Sequence, residues 1–368
     1  EAAVVEGLEM IAADTLAGVV GFLNGQTAIE PYHNAPAAQT ESDNPYEEDF
    51  ADVKGQLQVK RALEVAAAGG HNVLMIGSPG SGKTMLARRM PSIMPPMTVA
   101  ESLETTKIHS VAGKIGSERG LLTRRPFRAP HHLASQVALI GGGSNPQPGE
   151  ISLAHNGILF LDELPEFGRS VLEILRQPLE DKKVTVSRAK YSIEYPANFM
   201  LVAAMNPCPC GYYNHPTKEC VCSAGAVFRY LNRISGPLLD RIDLHVEVTP
   251  VPFEEIADDV PRERSADIRR RVIAARARQA ERFADIEGIH TNAMMNAAML
   301  RRFCRLDDAC NAMLSRAMER LNLSARAYDR IVKVARTIAD LAGDEDIRPA
   351  HVAEAINYRS LDRESWGK

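Results

Sequence analysis

The fold of this chain is set by residues 72–90, NVLMIGSPGSGKTMLARRM. An apolar run of strand character leads into a glycine-rich loop, and a helix-forming run follows. Residues 77–84 fit the phosphate-binding pattern G-x-x-x-x-G-K-[ST] in full, between a strand and a helix as that pattern requires. The alternative is a chance glycine turn. Because such a loop points backbone N–H groups and a helix N-terminus at phosphates, we predict a nucleotide site. Its predicted residues are Gly77, Ser78, Pro79, Gly80, Ser81, Gly82, Lys83 and Thr84.

Two further apolar strands end in polar residues that suit the same site. In the predicted site Lys83 reaches the β- and γ-phosphates, and the Thr84 hydroxyl binds Mg²⁺. The run GILFLDE, residues 157–163, brings Asp162 to the Mg²⁺ and Glu163 to the attacking water as its base. Two acids after a strand could also form a solvated turn. The run FMLVAAMNP, residues 199–207, ends in Asn206, whose amide could position the water. An ordinary Asn-Pro turn is the alternative there.

The order of elements predicts an α/β fold with a separate helical part. Strand-like and helical runs alternate up to about residue 252, which predicts a parallel sheet covered on both faces. Residues 253–368 are nearly all helical in pattern. We expect a linker at 31–49, where prolines and turn formers are frequent.

Composition excludes several classes of protein. The chain has 368 residues, of which 45% are apolar and 24% charged, and its net charge is −4. The protein is therefore not basic over its whole surface. Any surface that binds nucleic acid must be a local patch of positive charge. No apolar run is long enough to cross a bilayer, and no signal pattern opens the chain. We expect a cytoplasmic protein without a membrane partner. The chain begins at Glu1 without methionine, so we expect it to be part of a longer protein.

Longer stretches resemble a known family. The phosphate loop, Asp162-Glu163, Asn206 and GPLLDRID resemble AAA+ ATPases. The stretches FRAPHHLASQVALIGGG, NPCPCGYYNHP and LSARAYDRIVKVARTIADL resemble the magnesium-chelatase-related branch, specifically the ComM (YifB) family of competence proteins. The resemblance covers residues 50–365. It implies a P-loop AAA+ core at 50–252, a C-terminal helical lid at 253–368, and at 1–30 only the tail of a Lon-protease-like domain.

The resemblance also implies an activity. It implies a homo-hexameric ring that holds ATP and Mg²⁺ between neighbours, translocates single-stranded or branched DNA, and promotes branch migration during recombination in natural transformation. The alternative is a metal-chelatase-like or chaperone-like ATPase that remodels a protein client. The phosphate-site residues fit both activities equally.

Three further site residues follow from the resemblance. Arg241, in LLDRID, would be the arginine finger that reaches the γ-phosphate of the next subunit. The alternative for Arg241 is an ion pair with Asp240 or Asp243. Arg326, in SARAYDR, would be the sensor of the helical part that closes over the nucleotide, and Arg330 is its rival one turn on. Gln56 would lie near the adenine.

A hairpin is predicted at residues 184–195, VTVSRAKYSIEY, where two alternating runs flank a basic bend. In the magnesium-chelatase branch a hairpin precedes the strand with the sensor asparagine. If six copies line a channel, Arg188 and Lys190 at the tip and Lys182 and Lys183 at the base would contact a DNA backbone without reading its sequence. The alternative is a solvated hairpin whose charges keep its edges soluble. The histidines of RRPFRAPHH, residues 124–132, could belong to a second channel loop or could pack or cap.

Four of the six cysteines are close together in sequence, as C-x-C, nine residues and C-x-C. Four thiolates in two close pairs can surround a structural zinc ion, with His215 as a spare ligand. Reduced thiols without a ligand, or a redox-sensitive pair, are the alternatives. The predicted ligands are Cys208, Cys210, Cys220 and Cys222. Cys304 and Cys310 lie in helical runs and are expected to pack.

Overall fold

The computed structural model describes residues 11–31, 46, 48–115, 121–143, 146–188, 191–258 and 260–359, and for residues 187, 188, 191 and 256 it describes the backbone alone. The strands are β1 (Val73–Ile76), β2 (Phe127–Arg128), β3 (Gly141–Gly142), β4 (Gln147–Pro148), β5 (Ile158–Leu161), β6 (Lys183–Arg188), β7 (Tyr191–Pro196), β8 (Met200–Met205) and β9 (Leu244–Glu247). The α-helices are α1 (Leu16–Leu23), α2 (Leu57–Gly69), α3 (Lys83–Ile93), α4 (Val99–Val111), α5 (Gln136–Ile140), α6 (Glu150–Leu153), α7 (Arg169–Ile174), α8 (Arg176–Asp181), α9 (Ala224–Leu231), α10 (Gly236–Leu239), α11 (Phe253–Ala257), α12 (Ser265–Arg282), α13 (Ala297–Phe303), α14 (Asp308–Leu321), α15 (Ala325–Ala342) and α16 (Pro349–Asn357). Short 3-10 helices lie at Phe50–Asp52, Leu164–Glu166 and Asn292–Met294.

A five-stranded sheet forms the centre of the core, in the order β2-β5-β8-β1-β9, and every neighbouring pair is parallel. All residues of β1, β5 and β8 are buried. Continuous apolar strands of this kind belong in a parallel sheet with both faces covered. The predicted α/β class is therefore confirmed. Among the described residues, no helix is long and apolar enough to cross a membrane.

The two faces of the sheet contact different apolar clusters, because successive side chains of a strand point to opposite faces. From β1, Val73 and Met75 pack with α2, α3 and the C-terminal helices. Leu74 and Ile76 pack on the other face with α7, α10 and the start of the hairpin. The C-terminal helices therefore cover one face of the sheet, and the hairpin belongs to the other.

The predicted hairpin is present as β6 and β7, which form an antiparallel sheet of their own. It lies between α8 and β8 in the chain, so it leaves the core at the edge where β8 begins. Val184 and Val186 are buried in the apolar cluster of that face. The start of the hairpin is therefore packed on the core and is not simply solvated.

Two of the C-terminal helices, α14 and α15, end at residues with left-handed backbone. Asn322 ends α14 with φ +47°, and Gly343 ends α15 with φ +81°. Asparagine and glycine tolerate this left-handed conformation better than other residues. Among the C-terminal helices, the buried carboxylate of Asp340 accepts hydrogen bonds from Arg282, Arg336 and Asn292. Both of its oxygens therefore have hydrogen-bond partners.

Candidate functional site

The phosphate loop joins β1 to α3 and depends on its glycines. Gly80 has φ +78° and Gly82 has φ +95°, which are conformations that other residues rarely adopt. A Cβ at Gly77 would lie 2.2 Å from the carbonyl oxygen of Val248, the residue that follows β9. Any side chain at Gly77 would therefore separate the loop from the sheet edge.

Lys83 is held over this loop by neutral oxygens. Its Nζ donates to the carbonyl oxygens of Gly77, at 2.7 Å, and Ser78, at 2.9 Å. It also lies 3.3 Å from Oδ1 of Asn206, which directly follows β8. Burial lowers the pKa of Lys83, and the nearby carboxylates of Asp162 and Glu163 oppose that shift. These three acceptors are uncharged, so the ammonium keeps its charge available for an anion.

The candidate magnesium ligands meet across the sheet edge. The Thr84 hydroxyl donates to Oδ2 of Asp162 at 2.7 Å, and Oδ1 of Asp162 accepts from the backbone N–H of Glu163 at 2.9 Å. A hydroxyl and a carboxylate are hard oxygen donors of the kind that Mg²⁺ binds. In the loop itself the buried Ser81 hydroxyl has no hydrogen-bond partner within the described part of the chain. The loop and its surroundings therefore fit a magnesium-bound phosphate group.

Glu163 contacts His132, one of the two histidines of RRPFRAPHH. Its backbone has φ +53°, which is unusual for glutamate and is typical of functional sites. Its Oε2 lies 3.2 Å from Nδ1 of His132, in the loop after β2. The neighbouring His131 instead accepts a hydrogen bond at Nδ1 from the backbone N–H of Leu133. Because β2 and β5 are paired in parallel, the residues that follow these two strands lie at the same edge of the sheet. The position of both residues after neighbouring strands was the signal from which the contact of His132 with Glu163 could have been predicted.

Gln56 lies beside the phosphate loop. It precedes α2 with φ +57°, and its side-chain amide donates to the carbonyl oxygen of Thr249. Thr249 lines a cavity together with Gly77, Ser78 and Tyr213. The adenine contact of Gln56 stays a prediction.

Arg241 lies at the opposite edge of the sheet from the phosphate loop of its own chain. It comes just before β9, whose first residue, Leu244, is paired with Val73 at the start of β1. The guanidinium binds the carbonyl oxygen of Pro237 and forms an ion pair with Glu180, each at 2.5 Å. Its side chain is only 8% exposed. The structure thus gives an ion-pair partner other than the expected Asp240 or Asp243.

Of the two candidate sensor arginines on α15, Arg326 and Arg330, it is Arg330 that is bound to the core. Its Nη1 lies 2.8 Å from Oδ1 of Asp243, whose side chain is 1% exposed. Asp243 also accepts from the backbone N–H of Asn72 at 2.9 Å, at the start of β1. Arg326, one turn earlier, is exposed. The helix is therefore attached where the strands begin, and the structure does not bring Arg326 together with Lys83 and Asp162 in one site.

The four predicted DNA-binding residues differ in their surroundings. Lys183 forms an exposed ion pair with Glu194 across the hairpin, with Nζ 2.9 Å from Oε2. Burial lowers the pKa of Lys182, which is near Asp243 and Arg330. The Arg188 side chain and the whole of Lys190 lie outside the described residues. Lys183 is therefore paired within the chain, and Lys182 lies close to the buried Asp243 and its partner Arg330.

The four clustered cysteines converge. Each offers a sulfur, and the four atoms lie within 4.8 Å of one another. The candidate spare ligand, His215, instead uses Nδ1 to accept from the backbone N–H groups of Thr217 and Lys218. Cys304 and Cys310 are buried elsewhere, as expected for packing residues. Zinc at the cluster stays a prediction.

A parallel sheet with a phosphate loop after β1, acids after β5 and an amide after β8 defines a P-loop nucleotide-binding protein of the AAA+ class. Residues 49–256 match the family "Magnesium chelatase, subunit ChlI", and residues 262–359 match "Magnesium chelatase, subunit ChlI C-terminal". This chain belongs to the ComM/YifB family within that magnesium-chelatase-related class. The resemblance seen in the sequence is confirmed.

Individual relatives are similar along nearly the whole chain. Competence protein ComM of Haemophilus influenzae is 46% identical over 99% of this chain and 70% of its own length. The YifB protein of Escherichia coli is 45% identical over the same shares of both chains. The Rv2897c protein of Mycobacterium tuberculosis is 42% identical over 98% of this chain and 70% of its own length.

Proposed function

We propose that this chain is an ATP-hydrolysing motor that assembles as a homo-hexamer and moves single-stranded or branched DNA. ATP and Mg²⁺ would be its cofactors. Its 46% identity to a protein named for competence supports a role in the recombination of incoming DNA during natural transformation. Such a role would place it in the cytoplasm.

The proposed chemistry uses the groups gathered at the carboxyl ends of the strands. Lys83 would bind the phosphates, while Thr84 and Asp162 would hold the Mg²⁺, which neutralises phosphate charge. Glu163 would accept a proton from the attacking water, and the Asn206 amide would orient that water. The contacts of Lys83 with Asn206 and of Thr84 with Asp162 support this division of roles.

Completion of the site by a neighbouring copy is part of the proposal. Arg241 precedes β9, whereas the phosphate loop follows β1, and these strands are parallel. The four residues of β1 alone separate the two edges by about 13 Å, at about 3.3 Å per residue. Arg241 would therefore act on the nucleotide of another copy, where its guanidinium would face the developing phosphate charge. We propose that Arg326 also acts on the nucleotide of another copy, because its helix, α15, is attached to the same edge of the sheet through Arg330.

The observation that carries the DNA part of the proposal is the separate hairpin sheet of β6 and β7. It lies outside the central sheet and starts at the edge opposite the phosphate loop. Lys183 is paired with Glu194, and Lys182 is close to buried charges, so we assign the main phosphate contacts to Arg188 and Lys190, which the sequence predicts at the tip. Such contacts grip a backbone of any sequence.

The test is the rate of ATP hydrolysis with and without single-stranded or forked DNA. DNA should stimulate the wild-type chain, and the double variant Arg188→Ala/Lys190→Ala should lose that stimulation. A matched control removes two exposed arginines of α14, Arg316→Ala/Arg320→Ala, and should keep it. The stimulation should also weaken steeply with added salt, because phosphate contacts release counterions. A wild-type rate that is indifferent to DNA would favour a protein client over DNA.

A further inference from the structure

The segment that contains the cysteine cluster is held in place by little else. Residues 207–223 contain no helix or strand, although they directly follow the buried strand β8. Within this segment only Cys208 and Gly211 are buried. Burial of apolar surface therefore contributes little to fixing its conformation. Segments with so small a core usually depend on a metal or a disulfide.

The positions of the sulfurs favour a metal over a disulfide. The Cys208 sulfur lies 3.3 Å from that of Cys210 and 3.7 Å from that of Cys220, and the Cys210 and Cys220 sulfurs are 3.6 Å apart. A disulfide bond is about 2.05 Å long, so none of these three pairs is bonded, and all four cysteines are free thiols. In a tetrahedral zinc site with Zn–S bonds near 2.3 Å, neighbouring sulfurs are about 3.8 Å apart. The sulfur group therefore has about the size of a zinc coordination shell.

The same segment touches the phosphate loop. Gly211 has φ +85°, and a Cβ built there would lie 2.4 Å from Cδ of Pro79. Gly211 also lines the cavity beside Gly77 and Ser78. On its other side, the segment begins one residue after Asn206, which contacts Lys83. A change in the conformation of the cysteine segment would therefore reach the phosphate loop from two directions.

We propose that Cys208, Cys210, Cys220 and Cys222 bind one structural zinc ion, and that this ion holds the segment against the phosphate loop so that the loop keeps its nucleotide-binding conformation. Four protein ligands fill the tetrahedral shell and leave no position for a substrate. Each thiol that binds loses its proton, because the thiolate is the ligand. The link to nucleotide binding rests on the function proposed for the phosphate loop, whereas the zinc site itself does not.

Metal content tests the zinc site independently of any activity. The full chain, purified without added chelator, should contain one zinc per chain, and all six cysteines should titrate as thiols after unfolding. The variant Cys220→Ser/Cys222→Ser should contain none. The matched control Cys304→Ala/Cys310→Ala changes the two cysteines outside the cluster and should keep the metal. Wild-type chain with no zinc, with iron instead of zinc, or with fewer than six thiols would overturn the site even if the double variant failed to fold.

Binding of a fluorescent ATP analogue tests the link to the phosphate loop. After removal of zinc with a chelator and dialysis into magnesium buffer, affinity should fall about tenfold. Gly211→Ala should lower it to a similar extent while zinc stays bound, because the new Cβ displaces Pro79. Gly225→Ala is the matched control, since the nearest atom to its Cβ would be 3.5 Å away.

Unchanged affinity after zinc loss and in Gly211→Ala would overturn the link. A chain that carries zinc but never binds the analogue would contradict the proposed function and the link together, and it would leave the zinc site standing. The two proposals are thus separable.

Discussion

At the scale of single residues, Glu163, the candidate general base, is exposed, but a neighbouring side chain restricts its orientation. Its side chain is 54% exposed, and its oxygen lies 3.2 Å from His132. The rings of His132 and the buried Phe167 are also arranged edge to face, with their centroids 6.4 Å apart. We infer that His132 is a positioning residue, because it fixes the carboxylate direction and lies beside the candidate magnesium ligand Asp162 in the same pocket.

Replacement of His132 should lower the rate of ATP turnover and leave ATP binding nearly unchanged. In His132→Ala, kcat for ATP should fall about tenfold with KM nearly unchanged, because the carboxylate loses its orientation while the phosphate loop is intact. Steady-state kinetics measures both constants. His290→Ala is the control and should have little effect, because His290 is an exposed histidine of the helical part, whereas the His131 ring lies 4.1 Å from that of His132.

A variant that combines changes at His132 and Glu163 gives a second test of the positioning role. The double variant His132→Ala/Glu163→Gln should be no slower than Glu163→Gln alone, because both changes act through one carboxylate. Additive losses would refute the positioning role.

At the scale of elements, the contact between β9 and α15 links the sheet to the helical part. The buried Asp243 that precedes β9 is bound by Arg330 of α15, which holds the pKa of that carboxyl well below its usual range despite burial. A hydrogen bond of 2.8 Å between His71 and Thr337 joins the same two regions. Burial keeps the pKa of His71 low, so Arg330 is the principal cation at Asp243.

Removal of Arg330 should destabilise the fold. In Arg330→Leu the free energy of unfolding should fall by about 3 kcal/mol, because a buried carboxylate loses its partner. Since the pKa of Asp243 is lower in the folded chain, its stabilising contribution is complete above about pH 4 and is lost as pH falls. Urea unfolding at about pH 7 therefore measures the full effect.

An exposed arginine of α14 provides the comparison. Arg320→Leu should change the free energy of unfolding by less than about 0.5 kcal/mol. Equal losses in both variants would show that the ion pair contributes nothing specific.

At the scale of the whole molecule, the two edges of the sheet carry complementary halves of the proposed site. Lys83, Thr84 and Asp162 are at one edge, and Arg241 is at the other. In this chain Arg241 is paired with Glu180, and its Nε has no hydrogen-bond partner among the described residues. Transfer to a neighbour's phosphate would exchange one anion for another, so the ion pair does not prevent it.

Mixing of two inactive variants tests this arrangement. Glu163→Gln lacks the base and Arg241→Ala lacks the finger, so each alone should hydrolyse ATP slowly. In randomly mixed rings, about a quarter of the subunit interfaces combine an intact Glu163 on one side with an intact Arg241 on the other. ATP turnover should therefore recover to about a quarter of the wild-type rate. The measurement is ATP turnover of the equimolar mixture, with each variant alone as control. No recovery in rings that demonstrably contain both chains would show that Arg241 does not act between subunits.

Local patterns in the sequence were enough to predict the α/β class, the phosphate loop and the hairpin. Each depends on neighbours in the chain: glycines that permit left-handed backbone, apolar runs that become buried strands, and polar residues placed directly after them. The convergence of Lys83, Asp162 and Asn206 could also be expected, because parallel strands end at one edge.

Only the tertiary structure could pair His132 with Glu163, Arg241 with Glu180, and Arg330 with Asp243. The last two residues are 87 positions apart, and each of these side chains had several oppositely charged candidates nearer in sequence. Which one it meets depends on strand order and on how α15 packs over the sheet, and neither is encoded in any short stretch. The sequence therefore determined which polar groups gather at the carboxyl ends of the parallel strands. The packing decided which arginines are bound within the chain and at which edge of the sheet Arg241 lies.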